Sequence, residues 1–95
     1  MKTSRKPTSP GEILQEEFLT PLGMTQKNLA EHIGCDLKVI NRIVNEKTSI
    51  SAEMALKLGS AFKMTPAFWL NAQQALDIYE ATQKIENLPE PLKVG

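Results

Sequence analysis

Short amphipathic runs alternate along the chain with sharp breakers, and the breakers set the length of each element. Ser9-Pro10-Gly11-Glu12 reads as a helix start. Ser9 is a capping residue, Pro10 suits the first helical position and Glu12 completes a capping box. Ile13, Leu14, Phe18 and Leu19 give that helix one apolar side, and Pro21 and Gly23 end it. Thr25 is the next N-cap candidate. Leu29, Ala30 and Ile33 then form a buried side until Gly34 closes the helix after about two and a half turns. Asp36 caps a third helix over residues 37–45, and Ser51 a fourth with Met54, Ala55, Leu58, Ala61 and Phe62 inward. Thr65-Pro66 opens a fifth that runs to about residue 87, where Pro89 and Pro91 stop it. The predicted fold is all-α, with five helices.

The third helix separates its residue types cleanly. At about 100° per residue, with Leu37 at zero, Asn41, Asn45, Lys38 and Arg42 fall at roughly 40°, 80°, 100° and 140°. Val39, Ile43, Ile40 and Val44 fall at roughly 200°, 240°, 300° and 340°. One face is aliphatic and suited to a core. The other is a carboxylate-free stripe of cationic and amide side chains, the types that hydrogen-bond base edges and phosphates. An isolated helix with such a stripe is more often just a solvated surface. Its context argues otherwise: two short helices joined by a very short glycine-containing turn form the helix-turn-helix layout, whose second helix enters the major groove.

The fifth helix carries two apolar arcs. Phe68, Trp69, Ala72, Ala75, Leu76 and Tyr79 cover one, and Leu70, Ile78, Ala81 and Ile85 much of another. Gln73, Asp77, Glu80 and Lys84 form a narrow polar line between them. Two apolar arcs call for two packing partners. The chain's own core is one, and a second copy of the chain is the expected other. This makes Leu70, Ile78, Ala81 and Ile85 the dimer-interface candidates.

Composition changes this picture only at the edges. Ninety-five residues make one domain with a tail at most. Only 5% of them are aromatic, which predicts a small aliphatic core. The net charge is zero, unlike the basic footprint of many DNA-binding proteins. Charge is nevertheless polarised. Lys2, Arg5 and Lys6 make residues 1–10 strongly basic, whereas Glu12, Glu16 and Glu17 make the first helix acidic. The division expected is a flexible basic arm over 1–8, a DNA-binding domain over 9–70 with its motif at about 25–45, a long helix over 66–87 and a tail over 88–95.

A single cysteine, Cys35, excludes an intramolecular disulfide and fits a reducing cytoplasm. No run is apolar enough to span a membrane, and no signal-peptide core is present. Enzymatic chemistry finds little support. His32 and Cys35 are three apart, but Gly34 ends the helix between them and no third group orients them. The Glu12, Glu16, Glu17 trio reads as a solvated face. There is no Gly-rich phosphate loop and no Cys/His set for zinc, so no cofactor, metal or small-molecule ligand is expected.

The run MTQKNLAEHIGCDLKVINRIVNEK resembles the Cro/C1-type helix-turn-helix of phage repressors and the Xre group. PGEILQEEFLTPLGMTQ before it and SISAEMALKLGSAFKMTPAFWLNAQ after it narrow the resemblance to the HigA family of bacterial antitoxins, from about Pro10 to Gln73. The resemblance implies a lambda-repressor-like domain. It implies that Gln26 braces the second motif helix and touches a phosphate. Leu37, Lys38, Asn41 and Arg42 take the groove-facing positions, and Asn45, Lys47 and Thr48 grip the backbone. It further implies autorepression of the operon and binding of a HigB-type toxin, a RelE-like RNA-cleaving protein. Many relatives carry Asn-Gly-Lys where this chain has Asn45-Glu46-Lys47. Either that turn does without a positive φ here, or Asn45 or Glu46 accepts strain, and Glu46 sets a negative charge near phosphate. Two other readings stay open at this point: a solitary Xre-type regulator without a toxin, and a protein-binding module that has lost DNA. The absence of carboxylates from the stripe argues against the second.

Overall fold

The computed structural model describes residues 5–93, and their regular structure consists of five helices. Residues 1–4 of the expected arm and 94–95 of the expected tail lie outside the described residues. Helix α1 covers residues 10–22 in three stretches: α-helical at Pro10–Ile13, π-type at Leu14–Leu19 and α-helical again at Thr20–Leu22. Helices α2 (Gln26–Ile33), α3 (Leu37–Val44), α4 (Ala52–Phe62) and α5 (Pro66–Lys84) follow. Helix α1 packs on α3 and α5, α2 on α3 and α4, and α4 on α5.

The π-type stretch was not legible in the sequence, yet it explains the burial of α1. Leu14 and Leu19 are both fully buried. Residues five apart on an α-helix diverge by about 140° at 100° per residue. The Thr20 N–H instead bonds the Gln15 carbonyl, and such i→i+5 closure widens the turn, bringing the two leucines to one side. Pro21 follows at once. It has no N–H to give, and in a regular helix its ring crowds the carbonyl four residues back.

Every expected N-cap forms. Ser9, Thr25, Asp36, Ser51 and Thr65 each accept a backbone N–H with the side-chain oxygen. The reciprocal box expected at Ser9 and Glu12 forms one helix later instead. There the Asn28 N–H donates to Thr25 Oγ1 at 3.0 Å and the Thr25 N–H donates to Asn28 Oδ1 at 3.1 Å. The Glu12 side chain stays in solvent, where its charge remains hydrated.

The first four helices close alike. The N–H groups of Met24, Cys35, Lys47 and Met64 reach back to the carbonyls of Leu19, Ala30, Arg42 and Gly59 at 2.8–2.9 Å. In each case the intervening residue is left-handed: Gly23, Gly34, Glu46 and Lys63, with φ of 67°, 72°, 57° and 57°. This six-to-one bond satisfies orphan carbonyls. Glycine adopts the conformation without a Cβ penalty and the other two residues do not.

The core differs from expectation at one end. Leu14, Leu19, Leu29, Ile40 and Leu58 are fully buried, as a small aliphatic core requires. Four of the few aromatic residues, however, gather where α1, α4 and α5 meet. Phe18 lies 4.8 Å from Phe62 and 5.3 Å from Trp69 between ring centroids, and Phe68 stands edge-on to Trp69 at 5.1 Å. Aromatic rings carry more burial per residue than aliphatic ones; here Trp69 is in the core, and Phe18, Phe62 and Phe68 are partly buried against it. Trp69 is fully buried and its indole Nε1 has no hydrogen-bond partner among the described residues, a cost of about 1–3 kcal/mol.

Helix α5 ends earlier than its pattern suggests. Ile85 is already extended, with φ −82° and ψ 128°. Pro89 disfavours a helical residue before it, and Glu86 and Asn87 are exposed with no core to hold a further turn. Among the described residues no helix is long and apolar enough to cross a membrane.

Candidate nucleic-acid interface

The sequence of α3 builds its own platform. The Asp36 carboxylate caps it through the Lys38 N–H at 2.8 Å, and Ile40 and Ile43 are buried while Val44 is half-buried. Val39, expected on the core face, is 37% exposed instead. It sits at the edge of the apolar arc nearest Arg42. The opposite face stands in solvent: Leu37, Lys38, Asn41, Arg42 and Asn45 are all exposed.

Helix α2 fixes that face from the side. The Gln26 Oε1 accepts from Asn41 Nδ2 at 3.2 Å, and Gln26 Nε2 donates to Gln15 Oε1 at a long 3.5 Å. Gln15 in turn donates to Thr20 Oγ1 at 3.2 Å. A chain of amides thus runs from α1 through the start of α2 to the middle of α3. Gln15 was not singled out in the sequence, because a contact across eleven residues leaves no local pattern. Asn45 folds back, donating from Nδ2 to the Asn41 carbonyl at 2.9 Å.

Apart from Asn45, the expected DNA contacts fall into two groups. Gln26, Leu37, Lys38, Asn41 and Arg42 line one shallow depression of ≈ 340 Å³. Lys47 and Thr48 lie beyond the left-handed turn at Glu46, on a separate cleft of ≈ 150 Å³ that Gly11, Gln73, Asp77 and Glu80 also line. Its wall is held by the Ile50 N–H, which donates to Gln73 Oε1 at 3.0 Å, and by Gln73 Nε2, which donates to Asp77 Oδ1 at 2.9 Å. Glu46 itself adopts the positive φ that the departure from Asn-Gly-Lys left open, and its Oε1 pairs with Lys6 Nζ at 3.3 Å.

The remaining candidates separate by position. On α5, Ile78 is 59% exposed and Ala81 is exposed, and Ile85 is exposed at the helix end. Leu70 differs: it is half-buried and packs on its own chain's core. His32 is exposed and Cys35 half-buried beyond the Gly34 turn. Burial pushes the Cys35 thiol up, with Lys57 opposing and Asp36 reinforcing the rise. A raised thiol is a poor nucleophile.

A capped, half-exposed polar helix braced by the helix before it defines a helix-turn-helix DNA-reading domain. Comparison with known proteins agrees. The helix-turn-helix family profile matches residues 15–70. An uncharacterized HTH-type transcriptional regulator of Haemophilus influenzae is 47% identical over 81% of this chain and 72% of its own. Antitoxin HigA-1 of Vibrio cholerae is 40% identical over 90% of this chain and 80% of its own. The structure of the Pseudomonas aeruginosa antitoxin HigA with the higBA promoter superimposes with a TM-score of 0.78 at 34% identity, covering 88% of this chain and all of that one. The chain belongs to the HigA family of antitoxins within the Xre helix-turn-helix group. The fold and family are those of non-catalytic proteins.

Proposed function

We propose that the protein is a cytoplasmic antitoxin and transcriptional autorepressor that binds operator DNA as a dimer and neutralises a HigB-type, RelE-like RNA-cleaving toxin. The observation that carries the DNA half is the exposed, carboxylate-free stripe of Lys38, Asn41 and Arg42 on α3, braced by Gln26. Lys38 and Arg42 each suit a guanine O6/N7 pair, Asn41 suits adenine or a phosphate, and Leu37 suits a thymine methyl. Asn45, Lys47 and Thr48 are assigned to backbone phosphates on the family resemblance, and such contacts set register rather than sequence. Each good bidentate contact discriminates by about 1–3 kcal/mol, so one stripe cannot specify a long site. Two copies on a palindrome can, with half-sites about one helical turn apart. The exposed apolar residues of α5 supply the surface for that second copy. The toxin half rests on the likeness to named HigA antitoxins.

The test is a salt titration of binding to the DNA upstream of the protein's own gene. Wild type is compared with the double variant Lys38→Ala, Arg42→Ala. Nanomolar to sub-micromolar binding with a steep salt slope is expected, lost for the specific site in a folded double variant. Equal binding to random duplex would overturn the DNA reading. Co-expression with the product of the adjacent gene tests the toxin reading: rescue of growth is expected. A neighbour that is neither toxic alone nor bound would leave a solitary Xre-type regulator.

A further inference from the structure

The N-terminal arm leaves the molecule beside the end of the reading helix. Ser9, Pro10 and Gly11 are buried. A Cβ on Gly11 would collide with the Ile43 carbonyl oxygen and stand 2.9 Å from the Val44 Cα, so only glycine lets α1 begin against the last turn of α3. Pro7 is half-buried just before this contact. Lys6 then reaches Glu46, forty residues away in sequence, with Nζ 3.3 Å from Oε1. Glu46 is the left-handed residue that closes α3, and Lys47 and Thr48 follow it directly.

We propose that Lys6 is a further phosphate-contacting residue, held in reserve by Glu46 in the free protein and handed to a DNA phosphate on binding. This rests on the DNA-binding reading above. Both partners are substantially exposed, at 52% and 41%. An exposed pair of this kind shifts an equilibrium by at most about fivefold, so a DNA phosphate competes for the ammonium on favourable terms. The Glu46 carboxylate stands at the turn that leads to Lys47 and Thr48. Lys6 answers it in the free protein, which hides one positive charge and one negative charge in each other. Removal of the carboxylate therefore releases a cation at the edge of the reading face, and without Lys6 there is no cation for it to release.

The experiment is anisotropy of a labelled duplex of the upstream DNA, against a scrambled duplex, over a salt series. The proteins are wild type, Lys6→Ala, Glu46→Gln and the double variant, each checked by circular dichroism. Lys6→Ala is expected to weaken binding and to flatten the dependence of log K on log salt by about 0.9. Glu46→Gln is expected to tighten binding about fivefold, with most of that gain absent when Lys6 is alanine. An unchanged salt slope in Lys6→Ala, or an equal gain from Glu46→Gln in both backgrounds, overturns the proposal and leaves operator binding intact. No preference of wild type for its own upstream DNA overturns the operator reading itself, and the arm's role with it.

Discussion

Helices α3 and α5 both leave a face in solvent, and the two faces are opposite in kind. On α3 the exposed residues include Lys38, Asn41 and Arg42, on a helix capped at one end by Asp36, closed at the other by the Glu46 turn and braced by Gln26. On α5 the exposed apolar residues include Ile78 and Ala81, among polar neighbours such as Asp77 and Glu80, and Ile85 is exposed just past the helix end, where the chain becomes an extended tail with Leu88 exposed. Hydrated cations and amides lose little by waiting in water for a phosphate or a base edge. Exposed apolar side chains gain about 25 cal/mol per Å² when covered. The first face therefore suits a polar partner, and the second would gain from being covered by another apolar surface.

Breaking the support under α3 has the largest expected effect. Gly11→Ala forces α1 away from the Ile43 carbonyl and is expected to cost about 3 kcal/mol, the upper end of overpacking. The check is the midpoint of urea unfolding. DNA binding should fall only as far as folding does.

Ile78→Glu is expected to leave the fold unchanged and to separate the copies. Loss of the second half-site should then weaken operator binding about a hundredfold. Sedimentation should show a monomer, whereas a persistent dimer would move the interface to another face. Arg42→Ala touches α3 alone and should cost about 1–3 kcal/mol of operator binding. Selection of preferred sites should show relaxed choice at one base pair per half-site and no change in oligomeric state.

The smallest effect sharpens the comparison at the end of α3. Glu46→Gly should raise stability by about 0.5–1 kcal/mol, because left-handed backbone costs a side-chain-bearing residue about 1–2 kcal/mol and glycine returns part of that as entropy. Gly34→Ala, where none of the described residues stands within 4 Å of the added Cβ beyond its chain neighbours, should lose a similar amount through φ alone. Glu46→Gln should leave stability nearly unchanged, which separates strain from charge at that position.

Much of this molecule was legible one residue at a time. Caps, terminating glycines and the two faces of α3 depend on neighbours within about one helical turn, and hydroxyl, amide and carboxylate oxygens cap orphan N–H groups wherever they occur. Ser9, Thr25, Asp36, Ser51 and Thr65 all do so here. The stripe of Lys38, Asn41 and Arg42 follows from spacing alone, and its exposure follows from the burial of Ile40 and Ile43 behind it. What only the tertiary structure decided joins residues far apart in sequence. The Gln15–Gln26–Asn41 amide chain, the aromatic cluster around Trp69, the close approach of Gly11 to Ile43 and the Lys6–Glu46 pair all cross between elements. Local pattern sets which face of a helix turns inward, but which helix meets it, and how closely, is settled by packing all five at once.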